Sequence, residues 1–566
     1  MFSGDSRGRR SAGIGHRRRT LALAASAAFV LASCNADSTQ SPGGTSAASA
    51  QPDASSGSGG APTGELIVAV GNTGTHQWAP HLAGDDTAAM YKLIHDSLTQ
   101  VDKETGQIVP MLAESWSLSG DGLTWDWKLR PGVKFQDGWG TLTAADVKFT
   151  WAEWMSPESN QNVAETLAEI VDNNIDNIEI VSDLEFKIHT TRPYTTLDSF
   201  FAQSFARLYI TSKQYHDEKG AEADNHPIGT GPWKFVSSNP GVEVVLEANT
   251  DYWATVPSFA RLVVTEIPDG AARLVQLQSG AVDIANLPSN LIGEAQAANI
   301  KIISVKDIAT VQMILGGMYF DHPQLDADAP WIQANAPEKG KAIREALSLA
   351  IDRQLIIDRV LRGEATVNYG PLLQYNANPE LVDPSWTLPE FDLDKAKQKL
   401  AEGGYPDGFP ITIFEYPDDV DTVGVAQAIA GMWEELGVTV TQDQGEEDIL
   451  DEKLNAASTD GISWVKQQGF DPPDVTMINY LSSEDDDFKF FYQPLDDAYA
   501  KYTAEPDPAK RWQIIRDLIT SLRNDVIAIP LFTANLPVGV GPKVGDWQPT
   551  PGDKDMNSLE TVTPAN

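Results

Sequence analysis

Cysteine is almost missing: Cys34 stands alone in 566 residues, so no disulfide can form within the chain. No stretch after Cys34 is apolar enough over the ~20 residues a helix needs to cross a bilayer. Basic residues are scarce as well, 41 Lys and Arg against 80 Asp and Glu, for a formal charge of −39. That balance argues against nucleic acid as a partner and against docking on anionic lipid heads. The eight histidines are scattered without ligand spacing, and after Cys34 there is neither HExxH nor GxSxG. The common zinc-hydrolase and serine-esterase signatures are therefore lacking, and no metal, cofactor or catalytic residue is expected.

The position of the lone cysteine is informative. Arg7, Arg9, Arg10 and Arg17 to Arg19 precede an apolar stretch from Leu21 to Ala32. At roughly a dozen residues that stretch is too short to span, and it matches the h-region of a secretory signal. Residues 1–33 are thus expected to be a signal peptide. The signal holds six arginines and one aspartate, so the rest of the chain stands at about −44. From Asn35 to Thr63 the sequence is Ser, Gly, Ala, Thr, Pro, Asn, Asp and Gln. Such a segment cannot bury enough apolar surface to offset its ordering entropy, so 34–63 reads as a tether with a typical reach of about 30 Å.

The body that follows, with 42% hydrophobic and 21% charged residues, has the composition of an ordinary globule of two or three domains. Glu65 to Val70 reads as a buried strand and Ala88 to Leu98 as a helix. Leu123, Trp125, Trp127 and Leu129 alternate with polar residues, which gives a strand with one buried face. Pro131-Gly132 and Asp137-Gly138 turn the chain, and Thr143 caps a helix carrying Val147, Phe149 and Trp151. Gly229-Thr-Gly231 lacks the Lys-Ser/Thr of a phosphate loop, so its glycines read as a tight turn between lobes. Asp172 to Asp183 has calcium-like spacing without the glycine or terminal glutamate, and reads as a solvated turn.

Several blocks together resemble the family 5 extracellular solute-binding proteins of bacterial ABC importers, the oligopeptide- and dipeptide-binding group. They are Met111 to Trp151 (MLAESW…DGLTWDWKLRPGVKFQDG…TAADVKFTW), His226 to Phe235 (HPIGTGPWKF), Asn249 to Trp253 and Leu274 to Ala285. Ile343 to Gly363 (IREALSLAIDRQLIIDRVLRG), which is similar to a helix of the family and would put Ile343, Ala346, Leu347, Ala350 and Ile351 on one face as core packing, continues the match in the family's order with Asp394 to Gly408 and Ile529 to Phe532. Leu31-Ala32-Ser33-Cys34 is similar to the lipobox of bacterial lipoproteins, which makes Cys34 a lipid attachment point; an ordinary cleavage site beside a chance cysteine is the alternative. Arg17 to Leu21 loosely resembles a twin-arginine signal, and the export route stays open.

The resemblance implies an α/β, type II periplasmic-binding-protein fold, three-lobed and closing about a hinge. Lobe I would comprise 64–100, 229–310 and 525–566, with the C-terminal tail in the last part. Lobe II would be an insertion, 101–228, and lobe III would span 311–524. The implied role is to capture a small solute in the cleft, a peptide in the first instance, on the extracytoplasmic face of the membrane. A monomer, held by its lipid, would hand the solute to a permease and its ATPase subunits.

In peptide-binding members a W-x-x-DY-x-[DE]-P segment lines the cleft, and its first aspartate pairs with the ligand's amino group. Counting back from Asp471-Pro472 places Gln468 there, and a neutral amide cannot supply that charge-assisted bond. Asp85 or Asp86 could replace it, or the solute is an oligosaccharide or other non-peptide. Trp78, Trp139 and Trp464 would suit stacking on rings, and Lys466 could meet a carboxylate; each also reads as packing or surface. A secreted hydrolase and a signalling lipoprotein are the competing classes, since 80 acidic residues leave room for a carboxylate pair.

Overall fold

A computed structural model describes residues 61–82, 88–102, 107–161, 164–202, 208–320, 325–373, 381–417, 420–469, 473–478, 492–552 and 558–565. Residues 1–60, which hold the expected signal peptide, Cys34 and most of the expected tether, lie outside the described residues, as do Asp85, Asp86 and Asp471. Among the described residues no helix is long and apolar enough to cross a membrane.

One sheet of eleven strands carries the architecture. Its near half holds Glu65–Val70 beside Arg261–Glu266 and Ile284–Asn286, paired parallel, with Glu243–Ala248 and Trp233–Asn239 at the edge. Its far half holds Pro410–Glu415 parallel to Thr439–Gln444 and Ile462–Gly469. The opening strand's Leu66, Val68 and Ala69 are fully buried, as its apolar run requires.

Two long strands, Lys301–Leu315 and Ile529–Val540, run side by side through both halves. At one end Ile284–Asn286 pairs with Val538 to Val540; at the other Ile462–Gly469 pairs with Ala309 to Leu315. Between them the register shifts: Val305 faces Leu536, yet Ala309 faces Ala534. The extra residues form a bulge, and Asp307 takes a left-handed φ of 57°. The parallel strands of both halves thus point their carboxyl ends at one waist, residues 304–309 and 534–537. Ligand crevices in open α/β sheets lie at such ends.

A second, four-stranded antiparallel sheet orders Ala113–Leu118, Thr124–Leu129, Glu185–His189 and Ile178–Ser182. Trp125, Trp127 and Leu129 are buried, the face that the alternation predicts. Thr143 begins the helix Ala144–Trp154, its N–H and hydroxyl both donating to Asp146 Oδ2 at 2.8 Å.

The joint between this unit and the near half gathers the recognisable blocks. Asp96, fully buried, accepts from Thr230 Oγ1 (2.8 Å), Tyr252 Oη (3.1 Å) and Trp253 Nε1 (2.8 Å). Gln136 Nε2 lies at hydrogen-bond distance from the carbonyls of Ile94, Gly231 and Trp233, and its Oε1 accepts from Gly229 N–H. Gly229 and Gly231 are not at positive φ, which corrects the tight-turn reading. They are needed for close approach: a Cβ at Gly229 would stand 2.2 Å from the Ile94 carbonyl oxygen, and one at Gly231 2.6 Å from it.

The block Ile343 to Gly363 forms two helices, Pro337–Leu349 and Arg353–Arg359, separated at Asp352. Asp352 caps the second helix by accepting from Leu355 N–H at 2.9 Å. Ile343, Ala346, Leu347, Ala350 and Ile351 are all fully buried, the face expected from their spacing.

Candidate ligand cleft

The waist is a polar knot. Asp307 N–H donates to Asn535 Oδ1 (3.1 Å), and Asn535 N–H donates to the Glu364 carbonyl (2.9 Å). Glu364 Oε2 accepts from Ser304 Oγ in a very short contact and from Asn535 Nδ2 at 3.4 Å. Glu364 sits just before the strand Ala365–Val367, which pairs with Phe532 to Ala534. One carboxylate therefore ties a far-half element to both crossing strands where they bulge.

Over this knot lies a cavity of about 350 Å³ walled by both halves of the sheet. Asn286 and Pro288 come from the near half, Asp421 and Val420 from the far half, and Glu364 and Asn535 from the waist. Two helices begin at its rim. Asp269 caps Gly270–Ser279 by accepting from Ala272 N–H (2.7 Å), and Asp421 caps Thr422–Leu436 by accepting from Gly424 N–H (2.8 Å). Each cap offsets the positive end of its helix dipole.

The lining offers acceptors. Arg273, its cationic member, is buried and donates to the carbonyls of Asn286 (2.9 Å), Ile267 (2.6 Å) and Pro268 (2.9 Å), so it holds the loop in place. Asn286 Oδ1 is buried without a hydrogen-bond partner. An orphaned buried acceptor costs about 1–3 kcal/mol, and a donor delivered by a solute would remove that cost. Among the described residues no three His, Cys, Asp or Glu side chains are grouped to hold a metal.

Of the residues predicted from sequence, none that the structure describes lines this cavity. Trp464, Lys466 and Gln468 alternate along Ile462–Gly469 and share one face of it. Trp464 is 2% exposed, packed in the core with its Nε1 unpaired. Lys466 Nζ meets Glu447 Oε1 at 3.3 Å, and Gln468 is buried beside Thr310. The intervening Gln467 projects to the other face, where its Oε1 accepts from Val420 N–H at 3.2 Å, at the cavity wall.

Trp78 is buried in the near half, its ring 4.8 Å from Phe235 and its Nε1 donating to Ser238 Oγ at 3.2 Å. Trp139 stands apart on the four-stranded unit, edge-on to Tyr215 at 4.7 Å with Lys219 Nζ above it at 5.9 Å. Sequence reasoning passed over Asn286, Glu364, Asp421 and Asn535. A usable signal was present: Asn286 is the last residue of the parallel strand Ile284–Asn286, and Asp421 ends the loop from Pro410–Glu415 to the helix Thr422–Leu436, places where crevices form.

With this geometry in place, comparison with known proteins decides the assignment. Residues 107–488 match the family model described as bacterial extracellular solute-binding proteins, family 5 Middle. The chain belongs to that family. It is 28% identical over 382 residues to heme-binding protein A of Haemophilus influenzae, covering 63% of this chain and 65% of the relative. It is 29% identical over 358 residues to the oligopeptide-binding protein AppA of Bacillus subtilis, covering 61% and 60%. Those matches span slightly less than two thirds of either relative's length.

Among solved structures it is similar to DppA of Helicobacter pylori in complex with the peptide STSA. The TM-score is 0.70 at 21% identity, covering 89% of this chain and 98% of that one. NikA of Brucella suis in complex with Fe(III)-EDTA gives 0.74 at 20% identity, covering 88% and 100%. The family 5 protein thus has the type II periplasmic-binding-protein fold expected from its blocks.

Proposed function

We propose that this family 5 protein is the solute receptor of an ABC importer, capturing a small polar solute between the two halves of its sheet. The observation that carries the reading is the cavity walled by both halves over a waist of two strands. A solute touching both walls is held fully only when they are together, so binding favours the closed state by its differential affinity. The lobes are taken as 64–100 with 229–310 and 525–566, then 101–228, then 311–524. Lipid on Cys34 and the tether would keep the receptor, a monomer, near a permease and its ATPase subunits and raise its local concentration there.

The acceptor-rich wall favours a solute that donates hydrogen bonds. A short peptide is the first candidate, its ammonium met by Asp421, Glu364 or Asn286, or by Asp85 or Asp86. The second is an oligosaccharide or other non-peptide solute, favoured by the neutral, buried Gln468 at the position where peptide-binding relatives carry an aspartate. Trp78, Trp139, Trp464 and Lys466 remain candidate contacts.

The test is titration calorimetry of the purified protein against di- to pentapeptide and oligosaccharide pools, with product analysis by mass spectrometry. Saturable heat with recovered, uncleaved solute is expected from one pool. Cleavage of the solute would replace the receptor by a hydrolase, and absence of heat from every pool would remove the proposal.

A further inference from the structure

A second contact joins the four-stranded unit to the far half, and the chain never crosses between them there. The segment after Glu185–His189 meets the two helices Gln493–Ala504 and Pro508–Asp525. Thr195 N–H donates to the Thr503 carbonyl at 2.7 Å, a main-chain bond between residues about three hundred positions apart. Thr195 Oγ1 lies 3.0 Å from that same carbonyl and 2.9 Å from the carbonyl of Glu505.

Arg511 Nη1 reaches the Thr195 carbonyl and hydroxyl, both at 3.3 Å, and the Glu505 carbonyl at 3.2 Å. Arg192 Nη1 stands 3.4 Å from Thr503 Oγ1, and the hydroxyls of Tyr194 and Tyr499 are 3.5 Å apart. Thr195, Thr503, Tyr194 and Tyr499 are all buried.

Both sides of this contact are anchored in their own bodies. Trp125 Nε1 donates to the Tyr194 carbonyl (2.8 Å), and Asp198 takes Trp116 Nε1 (3.1 Å), so the 194–198 turn moves with its sheet. Thr99 Oγ1, in the short strand Thr99–Val101, donates to the Asp198 carbonyl at 2.7 Å. On the far side Thr503 Oγ1 donates to the Tyr499 carbonyl within its own helix (3.1 Å). The chain links these bodies through the waist strands, so any rotation there pulls Thr195 away from Thr503 and Arg511.

We propose that the juxtaposition of Thr195 with Thr503, Glu505 and Arg511 is a latch across the mouth of the cleft. It forms when the halves close and sets the residence time of the solute without touching it. These are positioning residues: their bonds exist only in the closed state and so weight that state directly. Because the bonds are largely main-chain carbonyls met by one hydroxyl and one guanidinium, the latch is indifferent to which solute is bound. Losing two or three such hydrogen bonds shifts the open–closed ratio by roughly tenfold.

The experiment uses the full chain with spin labels at Ile180→Cys and Leu388→Cys, exposed positions on the inserted unit and the far half, and electron–electron distance measurement in frozen solution. Thr195→Val and Arg511→Gln are compared with the unsubstituted pair and with Thr195→Ser, which keeps the hydroxyl. The expected result without solute is a long-distance population several-fold larger in Thr195→Val and Arg511→Gln, and unchanged in Thr195→Ser. A melting temperature for each variant identifies one that fails to fold, and the other substitution then carries the test.

Distance distributions identical across folded variants would overturn the latch. The latch rests on the receptor reading only for its second arm, where solute off-rates should rise roughly tenfold in the two disruptive variants. If no solute binds, the receptor reading fails while the distances still decide the latch.

Discussion

His95 and Asp96 sit side by side at the joint, and their burial gives them opposite chemical consequences. Asp96 is desolvated, which pushes its carboxyl up, while the Trp253, Thr230 and Tyr252 donors pull it back. His95, fully buried against the rings of Tyr91 and Tyr209, is pushed down to about 3 by desolvation and is neutral in the native protein. In the unfolded chain the same imidazole takes up a proton near 6.5.

A native-state value held below the unfolded one contributes stability above pH 6.5. That contribution is lost as pH falls toward 3, at up to about 1.4 kcal/mol per pH unit. Urea unfolding at stepped pH should show this slope in the parent, and His95→Leu should flatten it by about one proton's worth. An unchanged slope in the variant would show that His95 does not titrate on unfolding. Little of this was legible beforehand. The block HDSL carries no periodic signal that its His and Asp are core, and their burial is completed by residues more than a hundred positions away, Tyr209 for His95 and Thr230, Tyr252 and Trp253 for Asp96.

At the scale of the element, local rules read well and long-range ones did not. Alternation along Thr124–Leu129, the Thr143 cap and the buried stripe beginning at Ile343 depend on neighbours within a few residues, and each was readable. The break between Pro337–Leu349 and Arg353–Arg359 was missed because the apolar stripe runs through it. What decides it is Asp352 turning its carboxylate to Leu355 N–H, together with Arg353.

That arginine is fully buried and donates from Nε to the Pro530 carbonyl (2.6 Å) and from Nη1 to the carbonyls of Ser348 and Ile351 (both 3.1 Å). It thereby closes the end of one helix and fastens it to a crossing strand. Desolvation lowers its value to about 9, still protonated at neutral pH. Arg353→Lys keeps the charge but loses the planar fork, leaving buried carbonyls unmet, and should cost about 2–3 kcal/mol of unfolding free energy. Denaturant titration measures it, and a loss below about 0.5 kcal/mol would show that the fork is not what holds the two helices.

For the whole molecule, the family blocks located the fold but said little of the cleft. Gln136, Gly229 and Trp253, all inside those blocks, hold the four-stranded unit to the near half, and Arg353 fastens its helices to a crossing strand, so the segments easiest to read mark joints and cores. The waist was unreadable because Lys301–Leu315 and Ile529–Val540 are over two hundred residues apart and neither shows a clean alternation across the bulge.

The anchor proposed at Cys34 is a different kind of feature, since it is inferred from a local pattern and lies outside the described residues. A body of strongly negative charge gains nothing from an anionic membrane surface, so its retention there would depend on acyl chains alone. Each buried methylene contributes about 0.8 kcal/mol, and a single chain holds only weakly, so stable retention needs more than one. Fractionation of cells expressing Cys34→Ser should therefore move the protein from the membrane pellet to the soluble extracytoplasmic fraction, and metabolic labelling with a tagged fatty acid should mark the parent alone. Solute affinity should be unchanged, because about thirty residues separate Cys34 from the first strand. A variant that stays in the pellet at parental levels, unlabelled and resistant to high salt, would show that something other than a lipid on Cys34 holds the protein in place.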